Sequence, residues 1–93
     1  MEWTRTKLID KGSGALSDAE LLDLIVGVDG VGQAILDRFG SYRGMAHQPL
    51  WKFSAFKGLG DAKLIRMVAS FEIAKRIVDE VIHEFLEPSA KPT

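Results

Sequence analysis

From Asp61 to Leu86 the chain runs without a glycine or proline, and Leu64, Val68, Phe71, Val78, Val81, Ile82 and Phe85 recur three or four residues apart; Ala74 fills the one wider step. Such spacing keeps one face of a single long helix apolar. Nowhere does the chain alternate apolar and polar residues with period two over a useful length, so the pattern predicts an all-α domain.

The rest of the chain divides at its glycines into shorter helices. Thr4 to Lys11 reads as a first helix with Leu8 and Ile9 as its apolar side, stopped by "GSG". In "SDAELLDLIVG" Ser17 and Glu20 have the spacing of a capping box, and Leu21, Leu22, Leu24 and Ile25 supply a buried stripe that ends at Gly27. "GVGQAILDRFG" gives a third helix ending at Gly40, with Ala34, Ile35, Leu36 and Phe39 available to the core. A turn or distorted helix follows through "SYRGMAHQ". Pro49 suits the first position of a short helix in which Leu50, Phe53 and Phe56 recur every third residue. The expectation is a small bundle of about five helices in one domain, residues 1–86, followed by a flexible tail, 87–93.

With 93 residues, 46% of them hydrophobic, the chain can bury one modest core. No cysteine is present, which removes disulfides, thiolate metal sites and a thiol nucleophile. There is no apolar run long enough to span a bilayer, and "MEWTRTKLID" lacks the apolar centre of a signal peptide, so the expectation is a cytoplasmic protein with no membrane partner. The net charge is −1 but unevenly spread: from Ser41 to Arg76 seven bases face only Asp61 and Glu72, whereas both flanking segments are acidic. A polyanion would meet the middle segment; an ordinary solvated surface explains the same charges.

That middle segment contains "FKGLGDAKLIRM", Phe56 to Met67. Two glycines permit a tight reversal between helices, Leu59 would point inward, and the amides at the start of the next helix lack intrahelical partners. They present partial positive charge and can hold a phosphate oxygen without reading a base. The candidate nucleic-acid-binding residues are Lys57, Gly58, Gly60, Lys63 and Arg66. Against this stands Asp61, whose carboxylate in the first turn would satisfy the helix dipole itself and leave a plain corner. "VDGVGQAILDRFGS", from Val28, lies on the same pattern with a shift of 28 residues, pairing Gly30 with Gly58, Val31 with Leu59 and Gly32 with Gly60.

The "KGLG" turn between helices resembles the helix-hairpin-helix motif of sequence-independent DNA-binding proteins, although Leu64 stands where that motif usually has alanine. The repeat allows a second copy of the motif. "RTKLIDKGSGALSDAELLDLIVG", Arg5 to Gly27, resembles the opening of the RadC family of bacterial proteins, and "RFGSY", "KGLGDAKLIRM" and "FEIAKR" follow in the family's order. Between "LIVG" and "RFGS" the chain is several residues shorter than the family's usual spacing. The resemblance implies a helix-hairpin-helix domain placed before a metal-dependent JAMM-type domain, with an association to DNA repair. The histidine-x-histidine and aspartate pattern of that second domain has no counterpart around His47 or His83. The chain is accordingly expected to be an excised N-terminal module or a relative without the catalytic part.

No nucleophile and base are arranged for catalysis, and no cofactor or metal is implied. His47 and His83 read as surface or capping histidines; His83 with Glu80 and Glu84 has helical metal-ligand spacing but nothing to orient it. Asp18, Glu20 and Asp23 read as a cap and a solvated helix face. Trp51, beside Phe53 and Phe56, reads as core or core edge, with stacking on an unpaired base as the alternative. Trp3 either packs on the long helix or is exposed. The sequence thus predicts a non-enzymatic module that binds DNA weakly and without sequence preference. The alternative is a docking module, in which the apolar face of residues 77–86 meets a JAMM-type domain, another protein or a second copy as a homodimer, and the glycine turn is structural.

Overall fold

The computed structural model describes residues 2–86, and the expected tail at 87–93 lies outside them. Five α-helices and two short 3-10 turns account for the ordered elements, with no strand among the described residues. Helix α1 spans Glu2–Lys11, two residues earlier than the sequence suggests, with Glu2 favourably placed in its first turn. Of its expected apolar side, Leu8 is half-buried but Ile9 is exposed. Thr4, Lys7 and Leu8, at steps of three and four, form the inner edge, and Ile9 falls off it by one residue's rotation.

A 3-10 turn at Ser13–Ala15 leads into α2, Asp18–Val26. Its capping box is present in full: Ser17 Oγ accepts from the Glu20 amide at 3.1 Å, and Glu20 Oε1 accepts from the Ser17 amide at 2.8 Å. The same Glu20 oxygen takes an ion pair from Lys7 Nζ at 3.1 Å, which ties α1 to the start of α2. Those contacts, led by the Ser17 amide and followed by Lys7, hold the Glu20 carboxyl below its ordinary pKa.

After a left-handed Gly27, α3 runs Val31–Phe39 and packs on α2. Leu22, Val26, Val31 and Ile35 bury almost completely between the two. Ala34, expected in the core, is exposed, because α3 presents Val31 and Ile35, four apart, to α2. Helix α4, Tyr42–Ala46, is capped by Ser41 Oγ accepting from the Gly44 amide at 3.0 Å, and it buries Met45.

Pro49 sits just before, not within, the next element, a 3-10 turn at Leu50–Phe53. The period of three seen in Leu50, Phe53 and Phe56 is the 3-10 repeat. Only Phe53 is fully buried; it stacks tilted on Phe39 at 5.1 Å between ring centroids, with Phe56 half-buried beside both. Trp51, expected at the core, is 70% exposed, since three residues per turn give one inward position and Phe53 takes it.

Helix α5, Asp61–Leu86, closes the bundle with Leu64 and Met67 buried and Phe71 half-buried against α2. Val68, expected on the buried stripe, is 39% exposed, and Met67 holds the inner position instead. From Glu72 to Leu86 every residue of α5 is exposed. Its 26 residues make about 39 Å of helix, and less than half of that length touches the bundle. The radius of gyration is 15.5 Å, against about 12 Å for a compact domain of this length. No helix among the described residues is long and apolar enough to cross a membrane.

Candidate nucleic-acid interface

The two glycine turns begin alike. Gly30 and Gly58 adopt φ of 85° and 88°, a conformation open to glycine at little cost. The residues that follow them, Val31 and Leu59, are buried to the same degree, so the inward hydrophobic between two glycines is realised in both. The turns are also neighbours: a β-carbon at Gly58 would stand 3.3 Å from Val28 Cγ1 of the first turn.

Beyond that point they diverge. At the first turn Asp23, on the last half of α2, accepts hydrogen bonds from the Gly30 amide at 3.0 Å through Oδ2 and from the Gly32 amide at 2.7 Å through Oδ1. Asp23 is buried, contrary to the solvated position expected from sequence. Its carboxylate occupies the place that a phosphate would need. Gly32 is required there by packing, because a β-carbon would meet the Ala19 carbonyl oxygen at 2.2 Å and Asp23 Oδ1 at 2.9 Å. No local signal in the sequence marks Asp23, because its burial depends on amides that α3 brings from seven and nine residues further on.

At the second turn nothing fills that place. Among the described residues no acceptor is bonded to the amides of Asp61, Ala62 or Lys63, and the Asp61 side chain makes no hydrogen bond. Asp61 nevertheless stands in the first turn of α5, where its charge meets the helix dipole as weighed from sequence, without a side-chain hydrogen bond to the amides. Gly60, one residue before α5, has neither a positive φ nor any atom within 4 Å of a notional β-carbon. Neither conformation nor packing demands glycine at 60. A serine, threonine or aspartate there would cap α5, whereas glycine leaves the amides open.

The basic residues read from sequence flank this turn along the chain. Lys57 and Arg66 are exposed and Lys63 is half-buried. Lys63 and Arg66, three apart, share a face of α5, and none of the three forms an ion pair with a described residue. The element before the turn is only the 3-10 turn at Leu50–Phe53, so the second hairpin has a much shorter first arm than the α2–α3 hairpin. Leu64, in the usual place of an alanine, is buried in the core. Exposed Trp51 carries Lys52 Nζ 5.7 Å from its ring centre, and Trp3 is likewise 70% exposed. No group of three metal-ligating side chains occurs among the described residues; His47 lies exposed at the C-terminal end of α4 and His83 on the exposed part of α5.

The chain matches the UPF0758 N-terminal domain family over residues 2–65. It is 40% identical over 87 residues to a UPF0758 protein of Polaromonas sp. (strain JS666), covering 86% of this chain and 39% of the relative. A UPF0758 protein of Methylibium petroleiphilum is 43% identical over 79 residues, covering 77% and 36%; that of Nitrosomonas europaea is 41% identical over 86 residues, covering 85% and 38%. The chain thus spans about two fifths of the length of these curated relatives. No solved structure matches it.

Proposed function

This chain belongs to the UPF0758 (RadC) family, and from that premise we propose that it is a non-catalytic, sequence-independent DNA-binding module of helix-hairpin-helix type. One observation carries the reading: Gly60, which the fold does not require, stands before a helix start whose amides are open, with Lys57, Lys63 and Arg66 close by in sequence. A phosphate oxygen can approach a glycine backbone more closely than any other residue allows. The amides then donate to it, and the helix dipole adds partial positive charge. Backbone donors and lysine or arginine contacts carry no base preference.

Asp61 lies exposed in the same first turn and opposes the anion. With three bases and one acid at the site, affinity belongs at the weak end of the roughly 10⁻⁴ to 10⁻⁶ M range of non-specific binding. Three phosphate contacts give a salt slope of about −2.7, so affinity falls roughly 40-fold between about 50 and 200 mM salt. In the longer family members such a module would sit beside a JAMM-type domain and hold that protein on DNA.

Gly60→Asp tests the reading. The new carboxylate caps α5 and stabilises the fold by roughly a few tenths of a kcal/mol, while it fills the anion site and abolishes binding to a short duplex, read by fluorescence anisotropy. A Gly60→Asp protein that is stable and binds DNA as well as the parent sinks the proposal.

A second reading has its own support. Residues 72–86 expose a large apolar surface, including Ile77, Val78, Val81, Ile82, Phe85 and Leu86. An apolar face of this size marks a docking surface, and the two readings are compatible because they use opposite ends of α5.

A further inference from the structure

Resting on that docking reading, the occupant of the surface can be named. We propose that the exposed half of α5 pairs with the same half of a second copy of this chain, the two helices running antiparallel about a two-fold axis near Val78.

The apolar stripe of Phe71, Ala74, Val78, Ile82 and Phe85 continues the side of α5 on which Leu64 and Met67 are buried, so it overhangs the end of the bundle. Beneath the overhang lies a groove of about 600 Å³, lined by Leu21 and Ile25 of α2, Tyr42 of α4, and Phe71, Ala74 and Val78 of α5. With the axis at Val78, the partner's Phe85 comes level with Phe71, at the mouth of this groove. The partner's Ile82 comes level with Ala74, whose small side chain leaves room for it. Phe85, 85% exposed in the single chain, thereby gains an apolar seat.

Charge favours an antiparallel second copy over a parallel one. Within the overlap about Val78, residues 71–77 carry Lys75 and Arg76 against Glu72, a net +1, and residues 79–85 carry Asp79, Glu80 and Glu84 and no lysine or arginine, a net −3. A helix with one basic and one acidic half is complementary to itself only when reversed. Reversal also sets opposite dipole ends side by side. Lys75 and Asp79 share one flank of the stripe and form no ion pair with a described residue. In the pair each Lys75 lies about 3 Å along the axis from the partner's Asp79. Glu72 and Arg76, already paired at 2.9 Å, remain outside the contact. The interface is isologous, as a two-fold dimer requires.

Because the sequence has no cysteine, single-cysteine variants of the full 93-residue chain report the arrangement directly. The expected results are a concentration-dependent dimer in sedimentation equilibrium, ready disulfide formation by Val78→Cys, no disulfide by Phe85→Cys, and a folded monomer for Val78→Asp. A chain that stays monomeric at all concentrations, or Phe85→Cys cross-linking as readily as Val78→Cys, overturns the pairing. Binding of the apolar dye ANS separates the two levels of the argument. A monomeric parent that binds ANS, when Val78→Asp does not, overturns only the self-pairing and leaves a downstream segment of the longer relatives as occupant. A monomeric parent that binds no ANS overturns the docking reading as well.

Discussion

Replacing Asp23 tests how the first glycine turn is held and why it differs from the second. The carboxylate accepts two amide hydrogen bonds, at 3.0 and 2.7 Å, the shorter one from buried Gly32. A hydrogen bond to a charged acceptor contributes about 1.5–3 kcal/mol. Asp23→Asn keeps one acceptor oxygen and turns an NH₂ towards the other amide, so it should cost about 1.5–3 kcal/mol, one such bond. Asp23→Ala loses both and strands a buried donor, for a total of about 3–5 kcal/mol. Against a total stability of roughly 5–14 kcal/mol for a chain of this length, the alanine variant comes close to unfolding. Urea titration followed by circular dichroism at the helix band is the suitable assay. Tryptophan emission is not, since Trp3 and Trp51 are both 70% exposed and change little on unfolding. An Asp23→Asn protein within about 0.5 kcal/mol of the parent, the ordinary scatter of surface substitutions, would refute the clasp.

Gly32→Ala forces a β-carbon against the Ala19 carbonyl oxygen at 2.2 Å; it should separate α2 from α3 at a cost of about 1–3 kcal/mol or more, whereas Gly60→Ala, with open space around it, should leave thermal stability nearly unchanged. Ser17→Ala removes one half of the capping box and should cost about 1 kcal/mol in the same urea assay. On the acid side, Glu20 has a lowered folded pKa, so its contribution is present above the ordinary value of 4.5 and is lost as pH falls below it. Tyr42 is the only tyrosine in the chain. Burial, then the Asp18 charge, then its hydrogen bond to Asp18 push its phenol up to about 12, so the ultraviolet phenolate signal should rise near pH 12 instead of 10. The folded state holds that proton more tightly, so this contribution is complete below pH 10 and is lost as pH rises towards 12.

Where a feature is set by neighbours in the chain, it was legible from the residues. The capping box of Ser17 and Glu20, the glycine stops at Gly27 and Gly40, the inward Leu59 and the extent of α5 all follow from local spacing. What escaped depends on which of several apolar or acidic residues faces inward. Trp51 and Phe53 are equally plausible core residues until the element proves to be a 3-10 turn with one inward position. Asp23 looks like any helix-surface acid until α3 arrives with two free amides, a contact between residues seven and nine apart. At the second turn, Lys57, Gly58, Gly60, Lys63 and Arg66 could be listed from the motif. The open state of the α5 amides could not, because it rests on Asp61 not capping them.

The central claim is that the turn at Gly58 and Gly60 grips phosphate, and the most direct measurement is an amide chemical-shift titration of the chain with a short DNA duplex at two salt concentrations. The account predicts shifts confined to residues 57–66 at low salt, absent at high salt, with the Gly30 and Gly32 amides unmoved because Asp23 holds them. It is contradicted if residues 57–66 stay unperturbed at low salt, or if Lys63→Glu with Arg66→Glu leaves DNA affinity unchanged in a folded protein.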